Sequence, residues 1–269
     1  MAIIALNSAA TGLRALSTKL DVIANNLANS ETTAFKASRV NFEELVYQTL
    51  KEPGTSNAAG DLSPAGTFVG LGVKVSNTQL DLEQGTMEST NRPLDVAIVG
   101  NGFFRVKIMP GIGDGYGYTR AGNFFTNKDQ KLVLGMGDGY LVDPAISIPP
   151  TATGIAISND GKVDYLVPGQ IARQQAGQMK LYNFINPNGL TLLGGNIYLQ
   201  TESSGQATQN NPGLDGLGTL QQNFLEGSNV DPVKELVSLI KTQRAFELNS
   251  QSIQAADQAL QTIGNLRRN

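Results

Sequence analysis

Six aspartates in the middle of this 269-residue chain are its best candidates for chemistry: Asp95, Asp114, Asp129, Asp138, Asp160 and Asp164. Two carboxylates facing each other across a bond suffice for glycoside hydrolysis. A chain with 23 acidic residues supplies such a set without any catalytic purpose. Asn159, Asp160 and Asp164 resemble part of a calcium loop, but the ligand set is incomplete. Asn159-Asp160-Gly161 also reads as a hairpin turn. The glycine runs at 111–117 and 135–139 do not fit a dinucleotide loop, because Tyr116 and Tyr140 stand where its last glycine belongs. Gly161-Lys162 lacks the upstream glycine of a phosphate loop. The chain has no Cys and no His, so it lacks a thiol nucleophile, thiolate metal ligands, and the commonest general base and metal ligand. The expectation is no catalytic residue, no metal site and no cofactor.

Composition narrows the classes further. The net charge is -3, and only Arg267 and Arg268 cluster, which argues against a nucleic-acid partner. Charged residues make up 16%, below the roughly 25% usual for soluble domains. Asn, Gln, Ser, Thr and Gly take their place, a composition suited to extensive polar contacts between subunits. The length allows one to three domains. No stretch approaches the ~20 apolar residues of a membrane span, so no membrane insertion is expected. The first 29 residues lack a basic start followed by a continuous apolar run. By these rules alone the protein is cytoplasmic, although export without a cleaved signal would leave the same pattern.

The elements that must carry any function are clearest at the two ends. Leu6, Leu13, Leu20 and Leu27 recur every seventh residue, with Ala9, Leu16 and Ile23 between them. Leu239, Phe246, Ile253 and Leu260 repeat the period near the other end, with Thr242, Asn249, Ala256 and Ile263 between. A heptad stripe needs a partner helix. That partner can be the other end of the same chain, as an antiparallel pair, or a neighbouring copy. The first helix is expected over 2–29. The last begins at Asp231-Pro232, an N-cap followed by a proline at the first helical position, and runs to about 266. Such narrow stripes are marginal alone, so the ends are expected to order on assembly.

Between them, residues 35–50 suit a short amphipathic helix on Phe42, Leu45, Val46 and Leu50. Pro53-Gly54 ends it, and an extended loop follows through 55–66. From 69 to 225 short β-branched or aromatic runs alternate with turn residues. The strands expected are 73–75, 94–99, 103–108, 117–119, 131–134, 155–157, 163–166, 179–184, 197–200 and 220–225. The fold class is α+β: a mainly β middle region with terminal helices packing as a coiled coil. The expected division is 1–30 with 231–269 as the helical core, 31–70 as a linking segment, and 71–230 as a β-rich outer domain.

Several motifs together resemble one known family. Ala24-Asn25-Asn26-Leu27-Ala28-Asn29 with Thr33-Ala34-Phe35-Lys36 is similar to the N-terminal signature of the bacterial flagellar rod and hook proteins. Gln84-Gly85, Leu94-Asp95-Val96-Ala97-Ile98 and Gly100-Asn101-Gly102-Phe103-Phe104 resemble its central signature, and Tyr118-Thr119-Arg120-Ala121-Gly122-Asn123-Phe124 the strand pair that follows. Ser228-Asn229-Val230 and the segment from Gln243 through Arg244 and Asn249 to Ser250 resemble its C-terminal helix. The resemblance covers essentially the whole chain, in order. Within the family the distal rod branch is the nearest likeness, through an insert that includes Tyr47, Gln48, Pro53, Gly54 and Pro64. Two residues depart mildly: Ala34 replaces a more usual Gly, and Phe246 a common Tyr.

The resemblance implies a structural subunit and no enzyme. It implies a homo-oligomeric helical polymer with an inner tube of terminal helices, assembly residues Leu6, Leu13, Leu16, Leu20, Ile23, Leu27, Leu239, Phe246, Ile253, Leu260 and Ile263, and stiffness from the 47–64 insert. It implies a drive shaft in the periplasm that carries torque from motor to hook. The partners implied are proximal rod proteins, the hook or hook-rod contact, the P- and L-ring proteins and the flagellar type III export apparatus. That route would remove the need for a cleaved signal. A hook or proximal rod subunit, a secreted β-rich carbohydrate enzyme and a monomeric export adaptor are the alternatives.

Overall fold

The computed structural model describes residues 2–54, 64–109, 111–170 and 172–266, without the side chains of residues 2, 3, 263, 265 and 266. An N-terminal helix, a β-rich middle and a C-terminal helix follow one another, as an α+β class requires. The chain divides into two compact units. One combines 1–28, 38–81 and 231–269; the other combines 29–37 and 82–230.

The first unit is built on helix α1 (Ala2–Ala28) and helix α2 (Pro232–Leu266). Both match the ends expected from the sequence. They pair with each other inside one chain. Asn26 of α1 meets Glu235 near the start of α2, whereas Gly12 lies against Asn249 much further along α2. The pair is therefore antiparallel. A Cβ at Gly12 would come within 3.3 Å of the Asn249 amide nitrogen, so the small residue lets the two backbones approach there. Along α2, Leu239, Thr242, Phe246, Asn249, Ile253, Ala256 and Leu260 are buried or half-buried while most residues between them are exposed. These are the heptad positions; Ile263 lies outside the described side chains.

Against α1 lies a two-stranded sheet of β1 (Ser38–Glu44) and β4 (Val73–Leu80), antiparallel with a bulge at Asn41 and Phe42. β2 (Tyr47–Lys51) and β3 (Thr67–Gly70) form a second antiparallel pair. The amphipathic helix expected over 35–50 is thus replaced by β1 and β2. Val40, Phe42, Val46 and Thr49 are better strand formers than helix formers, and pairing with strands some 20 to 40 positions further along decides the matter. That pairing is invisible in a local window. The extended loop expected between β2 and β3 lies largely at 55–63, outside the described residues.

The second unit is a β body. Its main sheet runs in the order Thr191–Gly194, Ile197–Leu199, Tyr116–Thr119, Phe104–Lys107, Leu141–Asp143, Leu132–Leu134, Phe124–Thr126. A three-stranded sheet of Thr153–Ile157, Lys162–Leu166 and Gln174–Gln178 joins it, with Asn159-Asp160-Gly161 in the first hairpin turn. Val96–Val99 pairs with Thr219–Gln222, and Met87–Ser89 with Phe224–Glu226. Each of the ten expected runs contains a strand. The run expected at 220–225 is two strands, broken at Asn223, whose φ of 64° turns the chain onto a different partner. Strands the sequence did not announce, such as Gln174–Gln178, are short or polar and exist through their neighbours.

The core of this body gathers Val96, Ile98, Phe104, Val106, Phe124, Leu132, Leu134, Met179, Leu181 and Leu220, all essentially inaccessible. Gly122 permits it: a Cβ there would sit 1.6 Å from the Val96 carbonyl oxygen. Phe103, Tyr118, Tyr182, Phe184 and Tyr198 form an edge-to-face aromatic cluster. Burial pushes the Tyr182 and Tyr198 phenols up to about 12, so the cluster stays neutral at ordinary pH.

Candidate assembly surfaces

The aspartates considered for catalysis do not gather. Asp114, Asp129 and Asp138 are exposed on separate turns. Asp160 is engaged with Lys162 at 2.6 Å, which holds its carboxyl below the usual carboxylate range, and Asp164 lies on the strand beyond that turn. Asp95 is buried, with Arg92 Nε 3.9 Å away. Among the described residues no group of three or more acidic side chains is placed to hold a metal ion.

The signature residues occupy tightly specified positions instead. In the first unit, buried Asn26 donates from Nδ2 to the Ser38 carbonyl at 2.8 Å and accepts the Ser38 N–H on Oδ1 at 2.9 Å. The amide thus copies a strand-to-strand bond and fixes α1 to β1. The same Nδ2 reaches Glu235 Oε1 at 3.3 Å, so one side chain ties three elements. Asn25 beside it is exposed, and Leu27 is half-buried. The seam residues Leu6, Leu13, Leu16 and Leu20 are half-buried and Ile23 is buried. At the start of α2, the Lys234 N–H, with Val233's also bonded, holds the Asp231 carboxyl below its usual range. Arg244 is exposed and pairs with Glu247 at 3.2 Å.

The insert residues lie in the open. All five residues of β2 are exposed. Tyr47 donates its hydroxyl to Glu44 at 2.7 Å, and Gln48 is opposite Val69. Pro53 and Gly54 form the turn after β2, and Pro64 is exposed before β3.

In the second unit a buried ion network organises the remaining signature. Glu226 accepts Lys36 Nζ at 2.6 Å and the Gly85 N–H at 3.1 Å on one oxygen, and Arg120 Nε at 2.8 Å on the other. Arg120 also donates to the Gly102 and Gly100 carbonyls at 2.9 and 3.0 Å. The Glu226 backbone carbonyl accepts the Ala34 N–H, and Asn229 Oδ1 the Ala37 N–H. Asn29 accepts from Thr32 Oγ1, and Phe35 offers its carbonyl to Asn229. The short segment 29–37 is thereby strapped to the β body. Phe103 and Phe104 fill the core beside it. Ala34 has a φ of 56°, in the left-handed region that glycine enters without steric cost. Sequence reasoning placed Arg120 and Lys36 in motifs but did not find Glu226. The one available signal was a lone acid between Leu225 and Gly227 at a strand end.

Comparisons with known proteins agree along the chain. Residues 6–36 match the model of the flagella basal body rod protein, 97–165 that of the flagellar hook protein FlgE/F/G D1 domain, and 221–266 that of the flagellar basal body rod FlgEFG protein C-terminal region. The chain is 45% identical to the flagellar basal-body rod protein FlgG of Caulobacter vibrioides, over 98% of this chain and 99% of that protein. It belongs to the flagellar rod and hook protein family. Family likeness extends to the FlgG of Bacillus subtilis, 40% identical over 98% of both chains. The flagellar hook-basal body complex protein FlhP of the same organism is 29% identical over 97% of this chain and 98% of that protein. Within this family frame, Asn26, Lys36 and Glu226 hold the terminal and linking segments in shape.

Proposed function

We infer that this chain is a structural subunit of the flagellar distal rod, a component of the basal body that acts mechanically rather than by catalysis. The end-to-end likeness to basal-body rod proteins, at 40–45% identity for those of Caulobacter and Bacillus, carries the reading. Copies assemble into a helical tube through the terminal helices. Leu6, Leu13, Leu20, Leu239, Phe246 and Ile253 supply the seam that keeps each helix pair straight. The β-rich region forms the outer layer, and the 47–64 insert locks neighbouring subunits and stiffens the shaft. The shaft carries torque across the periplasm, between proximal rod proteins and the hook, inside the P- and L-rings. The subunits reach the growing tip through the flagellar type III export apparatus. Subunits joined by contacts that do not close on themselves give an open polymer.

Electron microscopy of basal bodies from cells lacking the chain tests this. A truncated rod without a hook, restored by the gene, is the expected result. A complete rod missing only its hook would assign the chain to the hook, and intact flagella would overturn the reading.

A further inference from the structure

Asp95 is an acid that the β body encloses without satisfying. It is fully buried, and neither carboxylate oxygen has a hydrogen-bond donor among the described residues. Arg92 brings its Nε only to 3.9 Å and holds its guanidinium 4.4 Å over the Phe125 ring instead. Buried carboxyl groups without donors are costly and rare in folded proteins.

Asn123 stands directly opposite. The two residues form an antiparallel bridge. The Val96 N–H donates to the Gly122 carbonyl just beyond it, which makes this a non-hydrogen-bonded position, where facing side chains lie closest and on one side of the strands. Asn123 Oδ1 is likewise buried with no donor among the described residues. Three buried oxygens from two facing residues therefore share one place. The carbonyls around them are engaged: that of Asp95 by the Asn223 N–H, that of Asn123 by the Gly135 N–H, and that of Pro93 by Gln222 Nε2.

We propose that Asp95 and Asn123 form a calcium site in the β body, with the Asp95 carboxylate and Asn123 Oδ1 as its protein ligands. Oxygen ligands alone are what a hard cation takes. Such a site needs neither His nor Cys, the residues whose absence set the expectation of no metal. Calcium accepts an irregular shell completed by water, whereas magnesium demands a near-ideal octahedron. A single carboxylate makes the site weak, with a dissociation constant of about 10⁻⁴–10⁻³ M, as in extracellular calcium modules. Arg92, half-exposed, competes for the same carboxylate.

Calcium, magnesium or a chelator is added to the full-length chain at constant ionic strength; equilibrium dialysis reads binding and thermal unfolding reads stability. One calcium per chain is expected. At ten times the dissociation constant the unfolding temperature of the β body should rise by about 3–6 °C, and by less with magnesium. Asp95→Asn should abolish both effects, and Arg92→Gln should tighten binding by removing the competing cation. Asn123→Asp covers the case in which Asp95→Asn fails to fold. It adds a second carboxylate, so that chain should be less stable in chelator and gain more from calcium than the unmodified one. No binding at about 10 mM calcium, well above the range for such sites, overturns the proposal, as does binding that survives Asp95→Asn. Equal destabilisation of Asn123→Asp with and without calcium also overturns it, because the amide would then serve Asp95 only as a hydrogen-bond donor. None of these outcomes bears on the subunit reading, which basal bodies test separately.

Discussion

The most demanding single residue is Glu226. It is buried between Lys36 and Arg120, and its removal strands two desolvated cations. Breaking such a buried pair costs about 3–5 kcal/mol. Glu226→Gln keeps the shape but not the charge, and is expected to lower the unfolding free energy of the β body by an amount in that range, read as a lower denaturant midpoint at unchanged slope. Ala34 gives a second residue-level expectation. Left-handed backbone costs an L-residue roughly 1–2 kcal/mol, and the methyl's burial returns about 0.8 kcal/mol. Ala34→Gly should therefore shift stability only slightly, whereas Ala34→Val, β-branched at a positive φ, should lose about 2 kcal/mol or more; chemical denaturation of the two variants checks this. Asp231 sets a pH dependence. Its folded pKa lies below the unfolded one, so its support for α2 is complete above the ordinary carboxylate range and is lost as pH falls through and below it. Amide exchange at Val233 and Lys234, corrected for intrinsic rates, should quicken below that range, and Asp231→Asn should remove the dependence. At this scale the sequence was only partly legible. Asn25, Asn26 and Asn29 are poor interior helix residues that by type alone mark only a helix end, and it is the fold that shows Asn26 bonding Ser38 as a strand would.

The helices were the legible elements, because a seven-residue period is a local signal that survives without knowledge of the partner. α1 and α2 begin and end within about a residue of the boundaries read from Ala2 and from Asp231-Pro232. The segment holding β1 and β2 was misread as a helix, since its identity depends on β3 and β4. Short polar strands such as Gln174–Gln178 were missed for the same reason. The seam itself makes an element-scale prediction. Leu20 is half-buried on α1, and since full burial of such a side chain is worth about 1.5–3 kcal/mol, its share is a fraction of that. Leu20→Asp adds an unpaired charge to that loss. It should reduce the helical signal in circular dichroism and abolish rod assembly while the β body keeps its own unfolding transition. Normal rods from this variant would refute the seam's role.

At the scale of the whole molecule, the insert is the feature whose loss should change mechanics while leaving the helix pair, the β1–β4 sheet and the β body in place. Deleting 47–64 removes β2 and the residues after it but spares β1, β4 and both helices. Rods built from that variant should assemble and bend more under electron microscopy; straight rods of unchanged stiffness would refute a stiffening role. The order of the chain carries one more consequence. Asn26 and Glu235 are partners 209 positions apart, so the first unit can close only after nearly the entire chain is available. Loop closure over such a span is slow compared with the local pairing of the β hairpins between. In a chain that emerges N-terminus first, α1 can meet β1 and β4 early, but its partner helix arrives after the β body and its seam closes last. Completion of that seam is a natural clock, marking the moment when a subunit has finished arriving.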